Sequence, residues 1–122
     1  MQGDACNLKD IYTDFDLVFC SNLIDRLYYP QKFLDDIPSR INKNGLLVLL
    51  SPYTWMEDYT PKENWLGGYI KDKKEVKTLD TLKENFSDSF ELLETIDVPF
   101  VIKETSRKYQ HIISQMSIWK KK

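Results

Sequence analysis

Few side chains in this sequence have the chemistry to act on a small molecule, and most of them are aromatic, amide or acidic. His111 is the only histidine and Cys6 and Cys20 are the only cysteines. They make neither a C-x-x-C pair nor a metal-ligand spacing, so no metal is expected and reduced thiols in a cytoplasmic protein are the default. His111 could take a proton from a substrate ring, although a lone histidine at a strand start is more often structural. Tyr53 and Trp55 could stack on a flat ring, with the Tyr53 hydroxyl orienting it, or they could simply cover apolar surface. Trp65 followed by Gly67 and Gly68 suits an aromatic lid on a flexible hinge, or else an ordinary turn. Arg107 and Lys108 could hold a carboxylate, or sit on a solvated loop. Asn22 is polar where an apolar run stops, so it could face a ligand or bond its own backbone. Asp25 and Arg26 read as a surface ion pair of little weight.

The elements that must position these residues follow from the pattern. FDLVFCS (Phe15 to Ser21) and GLLVLL (Gly45 to Leu50) are almost unbroken apolar runs, as expected of parallel strands covered on both faces. Between them the spacing predicts a helix: Pro30 in its first turn, Phe33, Leu34, Ile37 and Ile41 on one stripe, and Asn44-Gly45 as a left-handed exit. Pro38 should kink or break that helix near Ile37. Strand, helix, strand at this length is a right-handed crossover unit. The stretch from Pro52 to Lys77 has no clean periodicity and is rich in aromatics, which predicts a long functional loop. Thr78 is a candidate N-cap for a helix with Leu79, Leu82 and Phe86 inward. FELLETIDVPF and QHIISQMSIW read as an antiparallel pair joined by the polar VIKETSRKY segment, with Pro99 tolerable only at a strand end or edge. The fold class is therefore α/β, parallel first and antiparallel last. Ligands of such sheets bind beyond the carboxyl ends of the parallel strands, which points to Ser21-Asn22-Leu23 and to Ser51 through Trp55.

Composition bounds the rest. The chain has 122 residues, 42% of them hydrophobic, enough for one packed domain. A formal charge of -2 offers no basic face for nucleic acid. No apolar run approaches bilayer length, and the opening MQGDACNL lacks the form of a secretory signal.

The order of elements resembles the second half of the Rossmann-like methyltransferase fold, whose strands four and five are followed by antiparallel strands six and seven. The opening Gly3-Asp4-Ala5 resembles that family's motif after its third strand. This implies S-adenosylmethionine as cofactor, with Asp4 accepting from the adenine amino group, the Ala5 N–H donating to a ring nitrogen, and Cys6, Asn22 and Leu23 nearby. More narrowly, GDACNL, SNLIDRLYYP, LLSPYTWMEDYT, NWLGGY, DVPFVIKET and RKYQH, in that order, resemble the methyltransferase domain of the ovothiol biosynthesis enzymes. The resemblance implies methyl transfer to a ring nitrogen of 5-sulfanylhistidine (4-mercaptohistidine), with Tyr53, Asn22 and His111 as catalytic candidates. Tyr53, Trp55, Trp65, Gly67 and Arg107 are the substrate-binding ones. The family's Gly-rich turn and ribose-binding acid have no counterpart here, so residues 1–122 are expected to form a partial domain, the carboxyl-terminal half. The strand Phe15 to Ser21 should then present an open edge, for self-association or for the amino-terminal half. Two other functions remain open: a non-catalytic binding or assembly module, and a methyltransferase of the same fold with another small acceptor.

Overall fold

The computed structural model describes residues 4–122, so Gly3 of the opening motif lies outside the described residues. Its strands and helices, in chain order, are β1 (Phe15–Ser21), α1 (Pro30–Asp36), β2 (Ile41–Ser51), β3 (Tyr69–Lys71), β4 (Lys74–Val76), α2 (Thr78–Phe86), β5 (Phe90–Thr105) and β6 (Lys108–Lys121). The main sheet runs β1-β2-β6-β5. β1 and β2 are parallel, while β6 runs antiparallel to both β2 and β5. The structure is thus mixed α/β, as the apolar runs and the partial alternation of the last third predicted.

α1 starts on Pro30, whose missing N–H needs no partner in a first turn. It ends at Asp36, where Pro38 forces the chain into a 3-10 turn, Ile37–Arg40. Ile41 belongs to β2 and not to the helical stripe, and Asn44-Gly45 is no helix exit but part of a bulge at the start of that strand. Phe15 pairs with Ile41 while Leu17 pairs with Leu46, so β2 carries extra residues there. Asn42 pins the bulge by donating from Nδ2 to Asp14 O and Asp16 Oδ1, each at 3.0 Å. A side chain at Gly45 would strike Ile41 Cγ2 at 2.7 Å, which explains the glycine.

The segment from Pro52 to Lys77 is not a plain loop. It holds a 3-10 turn, Lys62–Asn64, and the small β3–β4 hairpin. That hairpin turns through Asp72 and Lys73 with φ of 52° and 64°, a left-handed pair achieved without the Asn-Gly signal that would have betrayed it. The polar stretch between the last two strands is also strand: β5 and β6 stay paired up to a turn at Ser106 and Arg107. Ladder bonds are made by backbone, so polar side chains on an exposed ribbon do not end it. Pro99 sits on β5, which is an edge strand, and its lack of an N–H costs the sheet nothing there.

α1 and α2 cover one face. Phe33 and Leu34 of α1 and Leu82 and Phe86 of α2 bury against Leu47, Leu49 and Trp119 in a single cluster. Phe86 meets Phe90 and Trp119 edge-on at 5.0 and 5.1 Å between centroids. The opposite face is open: Leu17 is 58% and Phe19 56% exposed, beside the half-buried Val48, Leu50, Met116 and Ile118. Among the described residues no helix is long and apolar enough to cross a membrane.

Candidate functional site

β1 and β2 both end where the chain adopts a left-handed residue, Asn22 with φ 55° and Tyr53 with φ 56°. Such a backbone is costly for a tyrosine and persists only when the surroundings enforce it. Three bonds do so. Ser51 Oγ accepts the Tyr53 N–H at 3.0 Å, Asp25 Oδ2 accepts the Thr54 N–H at 3.0 Å, and the Trp55 N–H donates to Tyr53 O at 3.1 Å. Asp25 and Arg26 are therefore not a surface pair. Asp25 is 1% exposed in the 3-10 turn Ile24–Arg26, with the Arg26 guanidinium 3.5 Å from its Oδ2. That guanidinium also donates to Thr54 O at 2.9 Å and stacks over Tyr59, 4.7 Å from the ring centroid. Sequence reasoning named Asp25 but gave it little weight, because nothing in a local Asp-Arg pair announces burial.

The outcome is a fixed tyrosine. Tyr53 donates its hydroxyl to Gln115 Oε1 at 2.7 Å, and both line a cavity of about 560 Å³ with Gly68, Lys77, Thr78 and Asp80. Burial first, and the Asp25 carboxylate second, push the Tyr53 phenol up to about 12. It is a neutral hydrogen-bonding group at physiological pH. Gln115 was not foreseen; it joins the site because β6 places it opposite Ser51, the last residue of β2.

The other expected residues scatter. Trp55 is buried and donates its indole N–H to Thr78 Oγ1 at 3.0 Å, so it covers the sheet end instead of presenting a stacking face. The same bond overturns the reading of Thr78 as an N-cap, since α2 begins on Thr78 without a side-chain cap. Trp65 donates to Thr60 O at 2.8 Å and packs on the core, away from the Tyr53 cavity. Gly67 is buried and is no hinge: a side chain there would collide with the backbone of Thr78. Asn22 stands at the right end of the sheet, but its side chain is exposed and, among the described residues, its Nδ2 reaches only Ser21 Oγ, at 3.4 Å. His111 and Arg107 ride outward on the β5–β6 ribbon, roughly 14 and 27 Å along the strand from Gln115 at 3.4 Å per residue. Neither is brought to the Tyr53 cavity.

Near the amino terminus, Asp4 Oδ1 accepts the Cys6 N–H at 2.9 Å and Asn7 N–H donates to Asp4 O at 2.9 Å, forming a compact turn. One carboxylate oxygen of the exposed Asp4 is thereby engaged, and Oδ2 is left for an amino donor. Ala5 and Leu23 together line an apolar groove of about 330 Å³ along β1, with Val18 and Phe33. Cys6 turns the other way, its Sγ 3.5 Å from Tyr29 O. Asp4 itself lines a neighbouring pocket with Arg26 and Lys32, while the groove along β1 also takes in Tyr12 and Arg40. Among the described residues no group of histidine, cysteine and acid side chains could hold a metal.

No protein-family model matches the chain, and no curated protein does. Solved structures do. One, concerned with the conversion of a disulfide bond into a thioacetal group during echinomycin biosynthesis, is similar over 98% of this chain, with a TM-score of 0.63 at 11% identity. A SAM-dependent methyltransferase from Methanosarcina mazei is similar over 98% at TM-score 0.60 and 16% identity. The YcgJ protein of Bacillus subtilis is similar over 100% at TM-score 0.58 and 13% identity. The chain has the fold of methyltransferase-like α/β proteins. It spans 54%, 65% and 70% of those three chains respectively.

Proposed function

We propose that this chain is the carboxyl-terminal part of an S-adenosylmethionine-dependent methyltransferase whose acceptor is an imidazole nitrogen of 5-sulfanylhistidine. The observation that carries the reading is the neutral, clamped Tyr53 beside Gln115 at the carboxyl ends of β1 and β2. This is where an open α/β sheet binds its ligand. The fold of the solved neighbours supports methyl transfer in general, and the six sequence blocks support this acceptor. A cytoplasmic location goes with the reading.

Methyl transfer from a sulfonium is an in-line displacement. The carbon–sulfur bond breaks as a carbon–nitrogen bond forms, the sulfide leaves, and the acceptor ring loses its N–H proton to solvent or a nearby base. The protein's main contribution is to hold a neutral ring nitrogen on that line. Tyr53 and Gln115 can orient the ring by hydrogen bonds, and Asp4, Ala5 and Leu23 would hold the adenine edge of the methyl donor. The remaining donor contacts must come from further chain, added at the free edge of β1. Its outward Leu17 and Phe19 call for a strand and covering helices.

With that portion supplied, the domain should methylate a ring nitrogen of 5-sulfanylhistidine in preference to histidine, and Tyr53→Phe should slow turnover roughly tenfold by loosening the ring. Mass spectrometric mapping of the methylated atom tests both. Methylation confined to the sulfur, or to other acceptors, would overturn the assignment; sulfur is the competing atom to watch, because one solved neighbour concerns sulfur chemistry.

A further inference from the structure

We infer that Asp25 is a positioning residue for the acceptor, holding the Tyr53–Thr54 peptide in the one conformation that carries the phenol to Gln115. The inference rests on reading this end of the sheet as the acceptor site.

Asp25 and Arg26 grip residue Thr54 through the peptides on either side of it. Asp25 Oδ2 takes its N–H at 3.0 Å and Arg26 donates to its C=O at 2.9 Å. The residue before it, Tyr53, sits at φ 56°. Released from the grip, a tyrosine relaxes toward negative φ and its ring swings off the cavity. A neutral acceptor would suffice merely to tie down a loop. The chain uses a carboxylate instead, 1% exposed, whose Oδ1 has no hydrogen-bond partner among the described residues. Arg26 offsets part of the cost of burying this charge, yet Oδ1 stays unpartnered, so a charged anchor is costlier than a neutral one and points to a use of the charge beyond anchoring. The charge acts on the phenol next door: it opposes ionisation of Tyr53, so the hydroxyl keeps its proton for Gln115 and its lone pairs for a donor in the cavity. The matching ligand is one that presents an N–H to this oxygen, as an imidazole does.

Three variants of the 122-residue chain separate the parts. Asp25→Asn keeps the shape and an oxygen for Thr54 but loses the charge; Asp25→Ala loses both; Asp25→Glu restores the charge. Amide exchange should accelerate at Thr54 by roughly tenfold or more in Asp25→Ala, with the β2 and β6 amides unchanged. Absorbance titration, with Tyr53→Phe to identify the signal among seven tyrosines, should show the phenol moving down from about 12 in Asp25→Asn by the smaller, charge-dependent part of its rise, burial holding the rest, and back up in Asp25→Glu. If Asp25→Ala fails to fold, the Asp25→Asn titration decides alone. An unmoved phenol in Asp25→Asn, or unchanged Thr54 exchange in a folded Asp25→Ala, overturns the role. In the completed domain, with 5-sulfanylhistidine as the probe, Asp25→Asn should raise the acceptor KM several-fold and leave S-adenosylmethionine binding unchanged. If that domain methylates nothing, the function falls while exchange and titration still judge Asp25.

Discussion

At the scale of single residues, the two groups among the described residues whose ionisation the fold suppresses both lie on or beside the parallel strands. Burial pushes the Cys20 thiol up to about 11 from 9.0, and burial with the Asp25 charge pushes Tyr53 up to about 12 from 10.0. In both cases the unfolded chain releases its proton first as pH rises. The stabilisation is whole below pH 9, declines as Cys20 passes from its unfolded to its folded value, and declines again between 10 and 12 through Tyr53. Urea melts across pH 8 to 12 should show this two-part fall, with Cys20→Ala removing the part that begins near 9. A stability flat across that range would contradict the burial of both groups. The raised thiol also makes Cys20 inert, whereas Cys6 is only half-buried.

At the scale of elements, the decisive contact is the close approach of Gly67 to the first residue of α2. The Trp55–Thr78 bond, the start of α2 and the cavity wall all meet there. Gly67→Ala must push α2 outward or break that bond, so it should cost about 1–3 kcal/mol. Gly68→Ala bears on a different problem, a φ of 75° with Trp55 3.3 Å from the added carbon. The check is a pair of thermal melts with Trp fluorescence: Gly67→Ala should lower the midpoint and redden Trp55. A Gly67→Ala chain as stable as the parent would restore the hinge reading.

At the scale of the molecule, both helices lie on one face and the other is bare. Parallel strands are ordinarily covered on both sides, and β1 adds a free edge to an exposed Leu17 and Phe19. The isolated chain should therefore associate with itself and bind a hydrophobic dye, and Leu17→Lys with Phe19→Lys should abolish both. Light scattering that finds the parent chain monodisperse and dye-free at high concentration would sink this. On the proposed reading the chain alone should bind S-adenosylmethionine too weakly for calorimetry, because among the described residues Asp4, Ala5 and Leu23 are the ones that would meet it.

The sequence by itself determined what periodicity and covalent restriction determine. Two unbroken apolar runs announced parallel strands, though not that one face of β1 would stand open; Pro30 and Pro38 bounded a short helix, and the last third announced an antiparallel pair. Those signals are local, and so they survive in one dimension. It could also place Asn22 and Tyr53 at the ends of strands, because strand ends follow from the runs themselves. Tertiary structure decided what depends on partners far along the chain. Asn44-Gly45 became a bulge because Asn42 finds Asp14 and Asp16. Trp55 and Trp65 went to packing because their N–H groups meet Thr78 and Thr60. Asp25, read as a surface charge, became a buried anchor because Thr54 lies beneath it. Burial is a property of what covers a residue, and a carboxylate carries no mark in sequence of the peptide it will hold.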